Sequence, residues 1–201
     1  MLDGKDITGL DAAALRQARS NIQMVFQDPY ASLNPRMTVR DLITEPAYLH
    51  SGIGPAERAA LAGDLLEKVT LERDAADRYP HQFSGGQRQR LCIARALSVS
   101  PKVIVADEAV SALDVSTAAR VTQLMQQLQE DLGIAFLFIS HDIAVVERVS
   151  HRIAVMYRGE IVEIGPTDQV LRSPQHDYTR MLLSAVPVPR PGGRQQRLVS
   201  E

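Results

Sequence analysis

The sequence lacks an excess of charge of either sign. Its 201 residues hold 22 Lys and Arg against 24 Asp and Glu, a formal net charge of -2. No general electrostatic grip on nucleic acid is therefore expected. A single cysteine, Cys92, excludes a disulfide within the chain and fits a reducing, cytosolic setting. Long apolar runs are also lacking. Stretches such as Ile134–Ile139 fall well short of the ~18 residues that a membrane-spanning helix requires. Met1-Leu2-Asp3-Gly4-Lys5-Asp6 has no apolar signal-peptide core. The expectation is a soluble chain whose membrane association comes through a partner. His50, His81, His151 and His176 show no metal-ligand spacing among themselves or with Cys92. There is no internal repeat.

What is present suits one sizeable domain. Hydrophobic residues make up 45% of the chain, enough for a buried core. Leu2-Asp3-Gly4-Lys5 reads as a strand end and tight turn, and Leu10 to Arg19 as a short helical segment. Ile22 to Phe26 reads as a strand, followed by an irregular loop over Tyr30 to Asn34, bracketed by Pro29 and Pro35. Thr38 can cap a helix that ends near His50. Ala56 to Thr70 is a second helix, with Leu61, Leu65, Leu66 and Val69 on one face. Residues 74–80 form a polar connection, so a mostly helical block, 38–80, stands between strand regions. Gly86 to Ser98 continues as helix.

Val103 to Ala106 is a continuous apolar run that suits a buried parallel strand. Ser116 to Leu132 is an amphipathic helix with Gly133 as its stop. Ile134 to Ile139 reads as a second buried strand and Ile143 to Val149 as a helix. Strands at 153–156 and 161–164 flank a turn at Arg158-Gly159. Short helices follow at 168–171 and 178–184. The Pro- and Gly-bearing tail, 186–201, is expected to be flexible. Apolar strands alternating with helices predict an α/β sheet packed by helices. In such sheets ligands bind beyond the carboxyl ends of the strands.

Several groups there can carry chemistry. Ser84-Gly85-Gly86 precedes a helix. Its glycines permit close backbone approach, and the helix start presents free N–H groups and partial positive charge, a combination that suits phosphate. Taken alone, it also fits an ordinary N-cap. Asp107 and Glu108 end an apolar strand, where one carboxylate can hold Mg²⁺ and the other polarise a water. A solvated turn fits the same pair. His141 and Gln27 also follow strands. His141 can donate to a phosphoryl oxygen or orient a water, or be an ordinary hydrogen-bonded residue; Gln27 can touch a metal ion or water, or merely cap its loop. Arg88, Arg90 and Arg95 read as a solvated face or as intradomain pairing.

In combination, these stretches resemble one family. Phe83-Ser84-Gly85-Gly86-Gln87 resembles the LSGGQ signature of ATP-binding cassette (ABC) ATPases, with Phe in first place. Val103 to Glu108 resembles the Walker B strand, and Ser111-Ala112-Leu113-Asp114 the D-loop. His141 matches the switch histidine and Gln27 the Q-loop glutamine. Gln27 to Thr38 and Ser173 to Arg180 are similar to the peptide and nickel importer branch. Asp107 to Asp114, with Ala109 where most members have proline, resembles the C-terminal half of glutathione and dipeptide importer ATP-binding subunits. So does Ser140 to Arg148.

The resemblance implies a P-loop-NTPase-like ABC ATPase sheet flanked by helices, with a helical subdomain at about 38–98 inside a domain of 1–185. It implies a head-to-tail dimer with a second ABC ATPase domain, each ATP lying between the two. It further implies two transmembrane permease subunits, an indirect periplasmic or extracellular binding protein, and a peripheral place on the cytoplasmic face of the cell membrane. Asp107 and Gln27 would hold Mg²⁺, with Glu108 as general base and His141 on the γ-phosphate. Ser84, Gly85, Gly86, Gln87 and Asp114 would complete the partner's site.

One family feature is absent: no Gly-x-x-x-x-Gly-Lys-Ser/Thr loop occurs in the 201 residues. The corresponding expectation is a domain without its N-terminal β-α unit, truncated or excerpted. Alone it would bind ATP poorly and expose apolar sheet surface. The expected function is the ATP-hydrolysing subunit of a peptide or glutathione importer. A non-catalytic interaction module and a soluble, non-transport ABC ATPase remain as alternatives.

Overall fold

The computed structural model describes residue 4 and residues 6–185. The opening strand reading at residues 2–5 falls largely outside these residues, and the flexible-tail reading at 186–201 wholly so. The chain divides into two compact units between Val145 and Val146.

The first unit runs α1 (Ala12–Ser20), β1 (Ile22–Val25), α2 (Pro29–Ser32), α3 (Val39–Ser51), α4 (Pro55–Lys68), α5 (Gly85–Leu97), β2 (Val103–Asp107), α6 (Val115–Leu132) and β3 (Ala135–Ile139). Two 3₁₀ turns, Arg73–Asp77 and Pro80–Gln82, link α4 to α5. Local chemistry sets the ends. Thr38 caps α3 by accepting from the Asp41 amide, and Gly52 stops it at φ 63°. Asp114 caps α6, and Gly133 stops it at φ 64°. The expected loop after Pro29 is instead a single helical turn. The Asp28 carboxylate accepts from the Tyr30 and Ala31 amides, and Pro29 occupies the first helical position, where its missing N–H costs nothing.

The three strands form a parallel sheet in the order β1-β2-β3. Register aligns Met24 with Val105 and Leu137, and Val25 with Ala106 and Phe138. Val25, Ile104 and Ala106 therefore share one face, which is buried in a single core cluster. Leu42 and Ile43 of α3, Leu65 and Leu66 of α4, Leu91 and Ile93 of α5, and Val121 and Met125 of α6 belong to the same cluster.

The opposite face is open: Met24 is 38% exposed, Leu137 56% and Ile139 47%. β3 is thus covered on one side only, where the continuous apolar run predicts burial on both. The apolar surface expected on the sheet lies here. Leu132, the last residue of α6, is also exposed, while the connection at 74–80 buries Ala75 and Ala76.

The second unit carries the antiparallel pair β4 (Arg152–Tyr157) and β5 (Glu160–Pro166), then α8 (Thr167–Arg172) and α9 (Asp177–Ser184). The division falls within α7 (Ile143–Val149). Gly159, at φ 87°, makes the hairpin turn. Glu163 accepts from the Gln175 and His176 amides, and His176 caps α9.

Candidate active site

Parallel strands put all their carboxyl ends on one edge. Gln27 follows β1, Asp107 ends β2, and His141 follows β3, so the three positions lie along that edge in strand order. Asp107 is half-buried, and its carboxylate has no hydrogen-bond partner among the described residues. Gln27 is exposed and forms no hydrogen bond to Asp107, Glu108 or His141 among the described residues. Both side chains offer hard oxygen donors with no partner among the described residues. They fit Mg²⁺, which takes one or two carboxylates and completes its shell with phosphate and water.

Glu108 is held most firmly. Its backbone sits at φ 47°, in the left-handed region that non-glycine residues rarely adopt. Its N–H donates to the Ile139 carbonyl at 2.8 Å, and its own carbonyl accepts from the Ser111 amide and hydroxyl. This turn lifts the side chain off the strand alternation. Its Oε1 then lies 3.0 Å from Nδ1 of His141, whose ring is largely exposed. A carboxylate and an imidazole in hydrogen-bond reach at an open strand edge can orient and deprotonate a water.

A second group of residues forms around the start of α5. Ser84 and Gln87 make a reciprocal cap. The Gln87 amide donates to Ser84 Oγ at 3.4 Å, and the Ser84 amide donates to Gln87 Oε1 at 2.9 Å. Helix geometry leaves the N–H groups of Gly85 and Gly86 without an intrahelical carbonyl, so they remain available to an anion. Gly85 faces Leu113 and Gly86 faces Thr117, beside the Asp114 cap. The Ser116 hydroxyl first, then Thr117, hold the Asp114 carboxyl well below the usual carboxylate range. The structure thus assembles the expected residues into two clusters: Glu108 with His141 at the sheet edge, and Ser84 to Gln87 with Asp114. The segment from Glu108 through Ser111 to Leu113 joins them.

Sequence reasoning missed Thr117. For Arg88, read as part of a solvated face or as intradomain pairing, the structure shows the pairing: it is buried, donates to the carbonyls of Pro80 at 2.7 Å and His81 at 3.3 Å, and lies 3.9 Å over the Tyr30 ring. Arg95 likewise donates to the Ser32 carbonyl at 2.6 Å. Both arginines share the helix face of Leu91 and Cys92, and that spacing was the available signal. Cys92 is inert, its thiol pushed up to about 11 by burial.

Comparison with known proteins agrees with this geometry. Residues 1–111 match the ABC transporter family, and residues 162–200 match the oligopeptide/dipeptide transporter C-terminal region. The chain is 59% identical over 197 residues to the glutathione import ATP-binding protein GsiA of Pectobacterium atrosepticum, covering 98% of this chain. It is 56% identical over 199 residues to GsiA of Escherichia coli K12, covering 99% of this chain. It spans 32% of the length of each of these relatives.

Among solved structures, cbiO1 of Clostridium perfringens, part of the ABC transporter complex cbiONQ, superposes with a TM-score of 0.77 at 26% identity. That match covers 86% of this chain and 67% of the other. An ATP-binding cassette solved as a dimer in a post-hydrolysis state with ADP and Pi gives a TM-score of 0.68 at 30% identity, covering 82% and 71%. With more than half of its residues matched to the family, the chain belongs to the ABC transporter family.

Proposed function

We infer that this chain is the ATP-hydrolysing part of an importer for glutathione or short peptides, working on the cytoplasmic face of the cell membrane. The observation that carries the reading is the Glu108–His141 contact at the carboxyl edge of a parallel sheet. Glu108 accepts the proton of the attacking water, and His141 positions that water and the γ-phosphoryl oxygens. Asp107 and Gln27 would hold Mg²⁺, which when bound neutralises charge on the phosphates. The amides of Gly85 and Gly86, shaped by the Ser84–Gln87 cap, would face the ATP of a second ABC ATPase domain packed head to tail. Asp114, at the neighbouring helix start, links that surface to this chain's own carboxylates.

The partner set follows from the same reading. In this reading the chain works with two permease subunits and, outside the membrane, a binding protein; among its described residues no helix is long and apolar enough to cross a membrane. A groove of about 330 Å³ lined by Met24, Phe26, Glu45, Leu49, His50 and Arg95 would offer the permease a seat. The likeness to glutathione importers and to the oligopeptide/dipeptide C-terminal region supports the substrate class.

The test is ATP-driven uptake of labelled glutathione and dipeptide into vesicles carrying the assembled importer. Uptake of at least one substrate, abolished by His141→Ala, is expected. Uptake of neither, with the complex intact, overturns the reading.

A further inference from the structure

Gly86 is buried, and a Cβ built on it would lie 2.3 Å from the Cγ2 methyl of Thr117 and 3.7 Å from its Cβ. No real pair of carbon atoms tolerates the shorter distance, so one side must give. Thr117 can give only by changing rotamer, since it is β-branched and stands in the first turn of α6, where few χ1 wells are open. Its amide donates to Asp114 Oδ1 at 3.0 Å, in the cap that starts the helix. The same residue therefore touches both trans-acting elements: the glycine of the signature helix and the aspartate of the following loop. Leu113 adds a second contact at Gly85, at 3.6 Å from the position of a Cβ there.

We propose that Thr117 is a positioning residue for the signature: its methyl fills the place of the absent Gly86 side chain and locks the first turns of α5 and α6 into one body. Gly86 is then glycine because of packing inside this chain, in addition to any closeness of a phosphate. The amides at the start of α5 and the Asp114 carboxylate move together when the helices move. The proposal rests on the reading that Ser84 to Gln87 and Asp114 serve an adjoining nucleotide. Its packing core can be tested without nucleotide, so failure of one is separable from failure of the other.

The test uses the full chain, nucleotide-free, with thermal unfolding and amide hydrogen exchange. Gly86→Ala is expected to lower the unfolding temperature by about 2–10 °C, the range for an overpacked methyl in a domain of this size. It is also expected to raise exchange in the first turns of α5 and α6 together. Adding Thr117→Ser, which removes the methyl and keeps the hydroxyl, restores at least half of the loss. Adding Thr117→Val, which keeps a methyl in place, restores none. If Gly86→Ala alone does not fold, a folded Gly86→Ala/Thr117→Ser variant supports the proposal, and an unfolded one overturns it. An unchanged Gly86→Ala protein, faster exchange confined to α5, or equal rescue by valine and serine likewise overturns it.

Discussion

Glu108 and His141, which follow adjacent parallel strands, meet at 3.0 Å between Oε1 and Nδ1. The contact depends on a backbone that glutamate does not favour, since Glu108 sits at φ 47°. Such conformations cost on the order of 1–3 kcal/mol and persist where surrounding bonds determine them. Here the Ile139 carbonyl and Ser111 supply those bonds. Glu108→Gly is therefore expected to leave the protein as stable or about 1 kcal/mol more stable, and Glu108→Val to destabilise it by at least as much. Urea unfolding midpoints check both. Equal loss in the two variants would show that the strain is absent.

The sheet is covered on one side only. Phe138 packs against the core cluster, whereas Leu137, next to it in sequence, faces outward and is 56% exposed. Phe138→Ser is expected to cost roughly 3 kcal/mol or more in urea unfolding. Leu137→Ser is expected to change stability by less than about 1 kcal/mol and to reduce self-association in sedimentation. Comparable losses at both positions would contradict the register.

Arg88 holds the segment before the signature from below. Removing it leaves the Pro80 and His81 carbonyls without their charged donor and uncovers the Tyr30 ring. Arg88→Ala is expected to cost about 2–4 kcal/mol, because Arg88 is buried and its hydrogen bonds are charge-assisted. Arg88→Lys, a point charge without the fork, recovers only part of this. Urea unfolding of both variants is the check, and a loss below about 0.5 kcal/mol in Arg88→Ala contradicts the assignment.

Asp114 makes stability depend on pH in a defined direction. Its carboxyl is held below the ordinary value of 3.8, chiefly by the Ser116 hydroxyl. A group depressed in the folded state contributes stability that is full above the unfolded value and declines as pH falls below it. The stability gap between the parent protein and Asp114→Asn is therefore expected to be constant above about pH 5 and to shrink steadily below about pH 4. A gap that widens on acidification contradicts this.

Much of this was legible in the chain. Thr38 and Ser84 announced helix starts, and Gly133 announced a stop, because capping is local chemistry. The placement of Asp107, Glu108 and His141 after apolar runs was enough to put them at one strand edge. The open face of β3 was not legible, since an unbroken apolar run carries no alternation to mark its exposed side. The turn at Pro29 was read as a break because proline ends helices more visibly than it begins them. Thr117 was hidden for a different reason. Its role depends on the packing of a helix start against Gly86, far back in the sequence, and no local pattern records that contact.

Glu108 as the general base is the central claim. The most direct measurement is steady-state ATP hydrolysis by the assembled importer carrying Glu108→Gln, with ATP binding measured in parallel. Glutamine keeps the shape and loses the proton acceptor. Hydrolysis is expected to fall by about 10²-fold or more while ATP binding stays within a few-fold. Hydrolysis within about threefold of the parent complex would contradict the account.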